Sequence, residues 1–251
     1  MNERESRITR RSLLKAGAAL AVGSGAPLAT ASPQENDPLR LLQGASASVL
    51  TDALGRAGYD PRQQVMSTDI KPVTKGGQTI VGPAVTTKWE TAHSGYEPDA
   101  VTHFVFQPLD DAPAGSIWVV ASGIERLYSM FGELIVMACA RNGVVGAVTD
   151  GGCRDITGTD ELNFPVFAKG TVLHGPGNAI RPVGANVEVE CGGVTVRPGD
   201  VIAADADGVL VIPQEALAEV ARFKQELVEE EIEVRRRIES GVPLATAYSY
   251  R

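Results

Sequence analysis

Glu133, Asp150, Arg154 and Asp155 all fall inside one stretch, FGELIVMACARNGVVGAVTDGGCRD, that begins at Phe131. A guanidinium grips carboxylates through paired donors, and carboxylates bind hard divalent cations. Together these residue types suit a small anionic substrate held beside a metal ion. Twenty residues separate Glu133 from Arg154, so the two can cooperate only if the chain between them returns on itself.

The pattern predicts that return. After Gly132 and Glu133, residues Leu134, Ile135, Ala138 and Cys139 share one helical face, and Asn142-Gly143 is a typical helix stop. Val144 to Thr149 is a short apolar, β-branched run bounded by glycine, which reads as a strand. A helix of about ten residues rises roughly 15 Å, and about six strand residues travel back roughly 20 Å. Glu133 and the polar loop Asp150 to Asp155 are therefore expected at one end of the unit, beside the free N–H groups and positive dipole end of the helix. Such a place suits a small dicarboxylate or 2-oxo acid together with a divalent cation.

The chain of 251 residues supports one hydrophobic core, and 43% hydrophobic with 22% charged residues is a globular rather than a disordered composition. A net charge of −8 argues against a general nucleic-acid grip and supplies no basic patch for a membrane surface. Residues 1–31 are read as a twin-arginine signal peptide: Thr9-Arg10-Arg11-Ser12-Leu13-Leu14-Lys15, then the mildly apolar Ala16 to Leu28, then the small-x-small pattern Ala29-Thr30-Ala31. The expectation is export to a periplasmic or extracellular location, with no membrane attachment in the mature form. Residues 32–38 form a linker and 39–251 a single domain. Three cysteines, Cys139, Cys153 and Cys191, without a CxxC pair indicate neither a disulfide framework nor a zinc site. Only Cys153 lies beside the candidate chemistry, and no histidine is spaced to activate it.

Elsewhere, Leu39 to Ala57 reads as a helix. Thr79 to Val85 and Thr86 to Trp89 read as strands interrupted by Gly82-Pro83, Pro98 to Phe106 as a helix, and Ser116 to Ala121 as a strand. His93 and His103 lack metal-ligand spacing, whereas His174 sits among glycines that let a ligand approach the backbone. From Pro165 to Ile212 short strands and turns alternate. Asp205-Ala206-Asp207-Gly208 resembles half of a calcium loop but reads better as a hairpin turn. Pro213 to Ser240 is a long amphipathic helix, whose Arg235-Arg236-Arg237 follows a run of glutamates and so belongs to a salt-bridged solvated face.

Gly132-Glu133-Leu134, Gly146-Ala147-Val148-Thr149-Asp150-Gly151 leading into Arg154-Asp155, and Phe164-Pro165-Val166-Phe167-Ala168 resemble a known family. It joins class II 4-hydroxy-4-methyl-2-oxoglutarate aldolases to the regulator of ribonuclease E activity A. Thr51-Asp52-Ala53-Leu54-Gly55 and the stretch from Gly192-Gly193-Val194 to Asp207-Gly208-Val209 extend the resemblance over nearly the whole mature chain. It implies an α/β fold of the three-layer β/β/α swivelling type with a long C-terminal helix, assembled as a homotrimer with active sites at subunit interfaces. It also implies cleavage of a 4-hydroxy- or 4-carboxy-2-oxo acid to pyruvate, and oxaloacetate decarboxylation, with Mg2+ or Mn2+. Carried over by position, Asp155 would hold the metal and Arg154 the substrate's 2-oxo oxygen. Gly132, Leu134 and Ile135 would bind substrate, the last two through backbone N–H groups on the carboxylate, and Glu133 would hold metal-bound water.

Two departures bear on that transfer. Ile156-Thr157-Gly158-Thr159 stands where the family places an acid soon after Arg-Asp, so Asp160 is displaced, and the rest of the site is expected from a neighbouring subunit. Glu133 stands where aldolases often carry aspartate. Two alternatives remain at this stage: a non-catalytic protein-binding regulator, and an Arg154–Asp155 ion pair that pins a subunit interface.

Overall fold

A computed structural model describes residues 37–75, 79–93 and 99–249. The expected leader, 1–31, and residues 32–36 of the expected linker lie outside them; Asp37 and Pro38 instead cap and open the first helix. The helices are α1 (Pro38–Leu42), α2 (Ala47–Arg56), α3 (Gln107–Asp110), α4 (Glu133–Arg141), α5 (Ile156–Glu161), α6 (Leu217–Glu239) and α7 (Leu244–Tyr248). The strands are β1 (Lys71–Pro72), β2 (Ile80–Thr91), β3 (Ile117–Ala121), β4 (Ser129–Phe131), β5 (Gly146–Thr149), β6 (Gly152–Cys153) and β7 (Val166–Ala168). They continue as β8 (Gly170–Thr171), β9 (Ile180–Ala185), β10 (Val189–Cys191), β11 (Val194–Val196), β12 (Val201–Ala204) and β13 (Val209–Ile212).

The main sheet runs β1-β7-β5-β3-β2-β12-β13, with β9 also paired to β2. Its middle, β2, β3, β5 and β7, is parallel, and β1, β12 and β13 close the flanks antiparallel. Strand alternation makes the layers. On β3, Ile117, Val119 and Ala121 face an inner core, shared with Met66, Ile70 and the β10–β11 hairpin. Trp118 and Val120 face the opposite way, onto Val136 and Cys139 of α4. On β12 and β13 the same alternation sends Val201, Ala203, Leu210 and Ile212 outward to α2 and α6. The result is the expected three-layer β/β/α arrangement: a curled mixed sheet closed by a hairpin on one face and clad by helices on the other, with the long C-terminal helix in place. Among the described residues no helix is long and apolar enough to cross a membrane.

Several element assignments differ from expectation, each for a local reason. The segment Leu39 to Ala57 is two helices, because Gly44 adopts a positive φ of 74° and Ser46 starts afresh by capping the Val49 N–H at 3.3 Å. Gly82-Pro83 does not interrupt β2. Ala84 exchanges hydrogen bonds with Asp200 and Gly199 on one edge, so Pro83 turns its nitrogen to the other edge, ahead of the first β3 pair at Ala84–Ile117. Gly82 is required there by contact, since a Cβ would stand 2.1 Å from the Gly115 carbonyl oxygen. The helix expected to stop at Phe106 passes through a π turn, Thr102–Phe106, into α3, and Pro98 lies outside the described residues. Strands β1, β4, β6, β8 and β9 and helices α5 and α7 were not foreseen.

Asp205 acts as a turn residue. Its N–H donates to the Gly208 carbonyl, and its carboxylate accepts the Asp207 N–H at 2.9 Å and, from the far end of the sequence, the Ala47 N–H at 2.7 Å. It therefore caps α2 as well as shaping the β12–β13 hairpin. Asp205→Ala is expected to lower stability by about 1–2 kcal/mol, read from urea unfolding, with no calcium dependence in either protein. A calcium-dependent rise in wild-type stability that the variant loses would restore the calcium-loop reading.

Candidate active site

The candidate site rests on a second, small sheet. Strand β4 runs parallel to β6, which runs parallel to β8. The Arg154 N–H extends the ladder by donating to the Phe131 carbonyl at 3.1 Å. Gly132 and Glu133 therefore lie beside Arg154 and Asp155 through direct backbone pairing. The helix-and-strand return predicted from length brings the chain to the right end of the sheet, and this ladder fixes the register.

Gly132 is the N-cap of α4, in extended conformation, and no side chain caps the helix. The first bond inside the helix runs from the Val136 N–H to the Gly132 carbonyl, which leaves the N–H groups of Glu133, Leu134 and Ile135 pointing out of the N-terminus. Leu134 is 75% exposed. The Arg154 Nε and Asp155 Oδ2 are 3.6 Å apart, with both side chains about half exposed at 48%. An ion pair in that setting contributes at most about 1 kcal/mol, so it does little to hold the fold. Asp155 is left-handed, φ 56° and ψ 39°, and stands at the N-cap of α5 without using its carboxylate to cap it. Its Oδ2 instead lies over Gly132, where a Cβ would approach to 2.8 Å.

Two other acids of this region serve the backbone. Asp150 Oδ1 accepts the Ser122 N–H at 2.7 Å, tying the C-terminal ends of β3 and β5 together. Asp160 Oδ1 accepts the Lys75 N–H at 2.7 Å. The displaced acid is thus committed to holding the segment after β1, and Asp150 is a strut rather than a free charge. The far wall was foreseen only at His174, and Arg126 and Tyr128 were missed. The His174 carbonyl accepts the Ser129 N–H at 2.9 Å, the His174 ring meets Tyr128 edge-on at 5.2 Å, and Arg126 lies 5.6 Å from the Tyr128 ring. Gly175 approaches the Arg154 guanidinium. The glycines around His174 were the available signal for this loop.

Oxygen donors are present at Asp155 and Glu133, and among the described residues no three or more His, Cys, Asp or Glu side chains cluster with ligand spacing. Such a set fits an ion of the Mg2+ kind, which keeps several waters and takes one or two carboxylates plus substrate oxygens. Cys153 does not join it. The thiol is buried, donates weakly to the Arg154 carbonyl at 3.4 Å, and is pushed up to about 11 by burial. Burial likewise pushes Cys139 up to about 12 and Cys191 well above the ordinary thiol value.

An uncapped helix N-terminus, a guanidinium and a carboxylate lie together at the C-terminal edge of a parallel sheet, the usual place for ligands in α/β proteins. The family model described as RraA-like, Aldolase/RraA, matches residues 47–211, and the chain belongs to that family. A protein of Halalkalibacterium halodurans named "Putative 4-hydroxy-4-methyl-2-oxoglutarate aldolase" is 33% identical over 168 residues, covering 64% of this chain and 73% of that protein. Protein DlpA of Legionella pneumophila is 28% identical over 209 residues, 83% of this chain but 33% of DlpA, so the chain spans about a third of that relative. Among solved structures, Streptomyces coelicolor RraAS2, described as an unusual member of the RNase ES inhibitor RraA protein family, superposes with a TM-score of 0.66. It is 26% identical and covers 82% of this chain and 99% of its own.

The raised thiol values give a direct check. At pH 8 a thiol with a value of about 11 is ionised in roughly one molecule per thousand, and only the thiolate attacks a disulfide reagent. Native protein is expected to leave all three cysteines unreacted with an aromatic disulfide reagent, and denatured protein to titrate three. Rapid reaction of native Cys153 would return it to the list of catalytic candidates.

Proposed function

We propose that the chain is a divalent-metal-dependent carbon–carbon lyase that cleaves a 4-hydroxy- or 4-carboxy-2-oxo acid to pyruvate and also decarboxylates oxaloacetate. The observation that carries this reading is the β4–β6 ladder, which sets Arg154 and Asp155 beside the uncapped N-terminus of α4. The substrate's C1 carboxylate is received by the N–H groups of Leu134 and Ile135, where the helix dipole favours an anion. Its 2-oxo oxygen is held by the Arg154 guanidinium. Breaking the bond to C4 leaves its electron pair as an enolate on C3 and the 2-oxo oxygen, and Arg154 stabilises the charge where it develops. Loss of the 4-hydroxyl proton to a water held by Glu133 releases the carbonyl product, and protonation of the enolate at C3 gives pyruvate. In oxaloacetate the same electrons are left by departing CO2. Asp155 would hold the divalent cation, with Glu133 on its water, and the cation when bound supplies Lewis-acid stabilisation to the same enolate. Mg2+ and Mn2+ both suit oxygen donors of this kind.

We further propose that the chain works as an exported homotrimer in which a neighbouring subunit completes the site, since Asp150 and Asp160 are spent on the backbone. A second reading, a non-catalytic protein-binding regulator, is favoured by the description attached to the Streptomyces relative. Pyruvate release separates the two. Purified protein with Mg2+ or Mn2+ is expected to form pyruvate from oxaloacetate and 4-hydroxy-4-methyl-2-oxoglutarate, and EDTA or Asp155→Ala to abolish it. Arg154→Lys is expected to lower kcat by about 10²–10³. Absence of any EDTA-sensitive turnover across a panel of 2-oxo acids would sink the lyase reading. Export is tested separately by fusing residues 1–31 to a folded reporter: appearance outside the cytoplasm only when Arg10 and Arg11 are intact is expected, and cytoplasmic retention overturns it.

A further inference from the structure

Gly158 sits inside α5 and faces the start of α4. A Cβ built on it would stand 2.4 Å from Glu133 Oε2, 2.5 Å from Cδ and 2.8 Å from Cγ. Carbon atoms in ordinary contact stay about 3.5–4 Å apart, so the space a side chain would fill at 158 is the space the Glu133 carboxyl group occupies. The backbone does not ask for glycine here: Gly158 is helical and is not among the positive-φ residues. Glycine in a helix interior weakens that helix relative to alanine. What the missing side chain supplies is room.

The arrangement is reciprocal. Gly132, at the start of α4, receives the carboxylate of Asp155 at the start of α5, and Gly158 of α5 receives the carboxylate of Glu133 from α4. Glu133 is exposed and forms no hydrogen bond or ion pair with another side chain among the described residues, so its close approach to Gly158 bears directly on where the carboxyl group sits. The longer acid at 133 and the unsubstituted position at 158 are two halves of one fit.

We infer that Gly158 is a positioning residue that seats the Glu133 carboxylate against α5, where it would hold the water of the divalent cation that Asp155 binds. The inference rests on the proposed lyase reading for the identity of what is bound. Because the contacting atoms are the far end of a flexible side chain, alanine at 158 displaces the carboxylate and leaves the backbone in place.

The test uses Mn2+ itself as the probe, read by electron paramagnetic resonance on the full chain. Gly158→Ala is expected to weaken Mn2+ binding about tenfold, in line with removal of a group that orients a ligand, with an unchanged or higher Tm. Glu133→Asp alone should also weaken binding. In the Gly158→Ala background, however, Glu133→Asp should cost far less than it does alone, because the shorter side chain no longer needs the seat. Unchanged Mn2+ affinity in Gly158→Ala overturns the inference. So does additive behaviour of the two substitutions, a Tm loss that accounts for the affinity change, or wild-type protein that binds no Mn2+. Wild-type protein that binds Mn2+ without releasing pyruvate refutes the lyase reading and leaves the seat standing, provided the variants shift as stated.

Discussion

The candidate site depends on one short run of backbone pairing. Strands β4 and β6 offer few residues, yet the ladder they start, extended by the bond from the Arg154 N–H to the Phe131 carbonyl, puts two distant segments in fixed register. Backbone pairing leaves side chains uncommitted. Beneath it, Phe131 and Cys153 are buried, and Phe131 packs edge-on against Trp118 at 4.9 Å. Above it, Gly132, Glu133, Arg154 and Asp155 are left to face solvent. The exposed Arg154–Asp155 pair could not impose this geometry, because screened charges bring too little free energy. Position comes from amides and aromatic packing, and charge is then free to serve a ligand.

The main sheet explains why the site lies where it does. Parallel strands β3, β5 and β7 end together, and their C-terminal edge carries Ser122, Asp150 and the turn into β6. A cleft of about 550 Å3 opens at the other edge, among Gly115, Val145, Asn163 and Pro165 at the strand beginnings. None of the chemically competent residues lines it. The polarity of a parallel sheet instead favours the C-terminal edge for a ligand.

Helix α4, strand β5 and the C-terminal helix were legible because each has enough residues for its period to show. Two-residue strands have no period. β6 and β8 exist because neighbours supply their partners, which is tertiary information. α5 was hidden for a related reason: Thr157, Gly158 and Thr159 are poor helix formers, and the helix is held by what packs on it. Residue types at the site were readable, and their duties were not. Asp150, Asp155 and Asp160 look alike in the sequence, but two satisfy backbone N–H groups and one does not. Distinguishing them required knowing which amides each could reach.

The left-handed backbone at Asp155 carries one more consequence. Few residue types tolerate that conformation: glycine does so freely, and asparagine and aspartate do better than the rest. Asp is one nucleotide change from either Asn or Gly. A gene for this fold can therefore lose the carboxylate at 155 in a single step while the turn, the ladder and the uncapped helix end survive. The carboxylate at this position is thus easier to lose than the architecture around it.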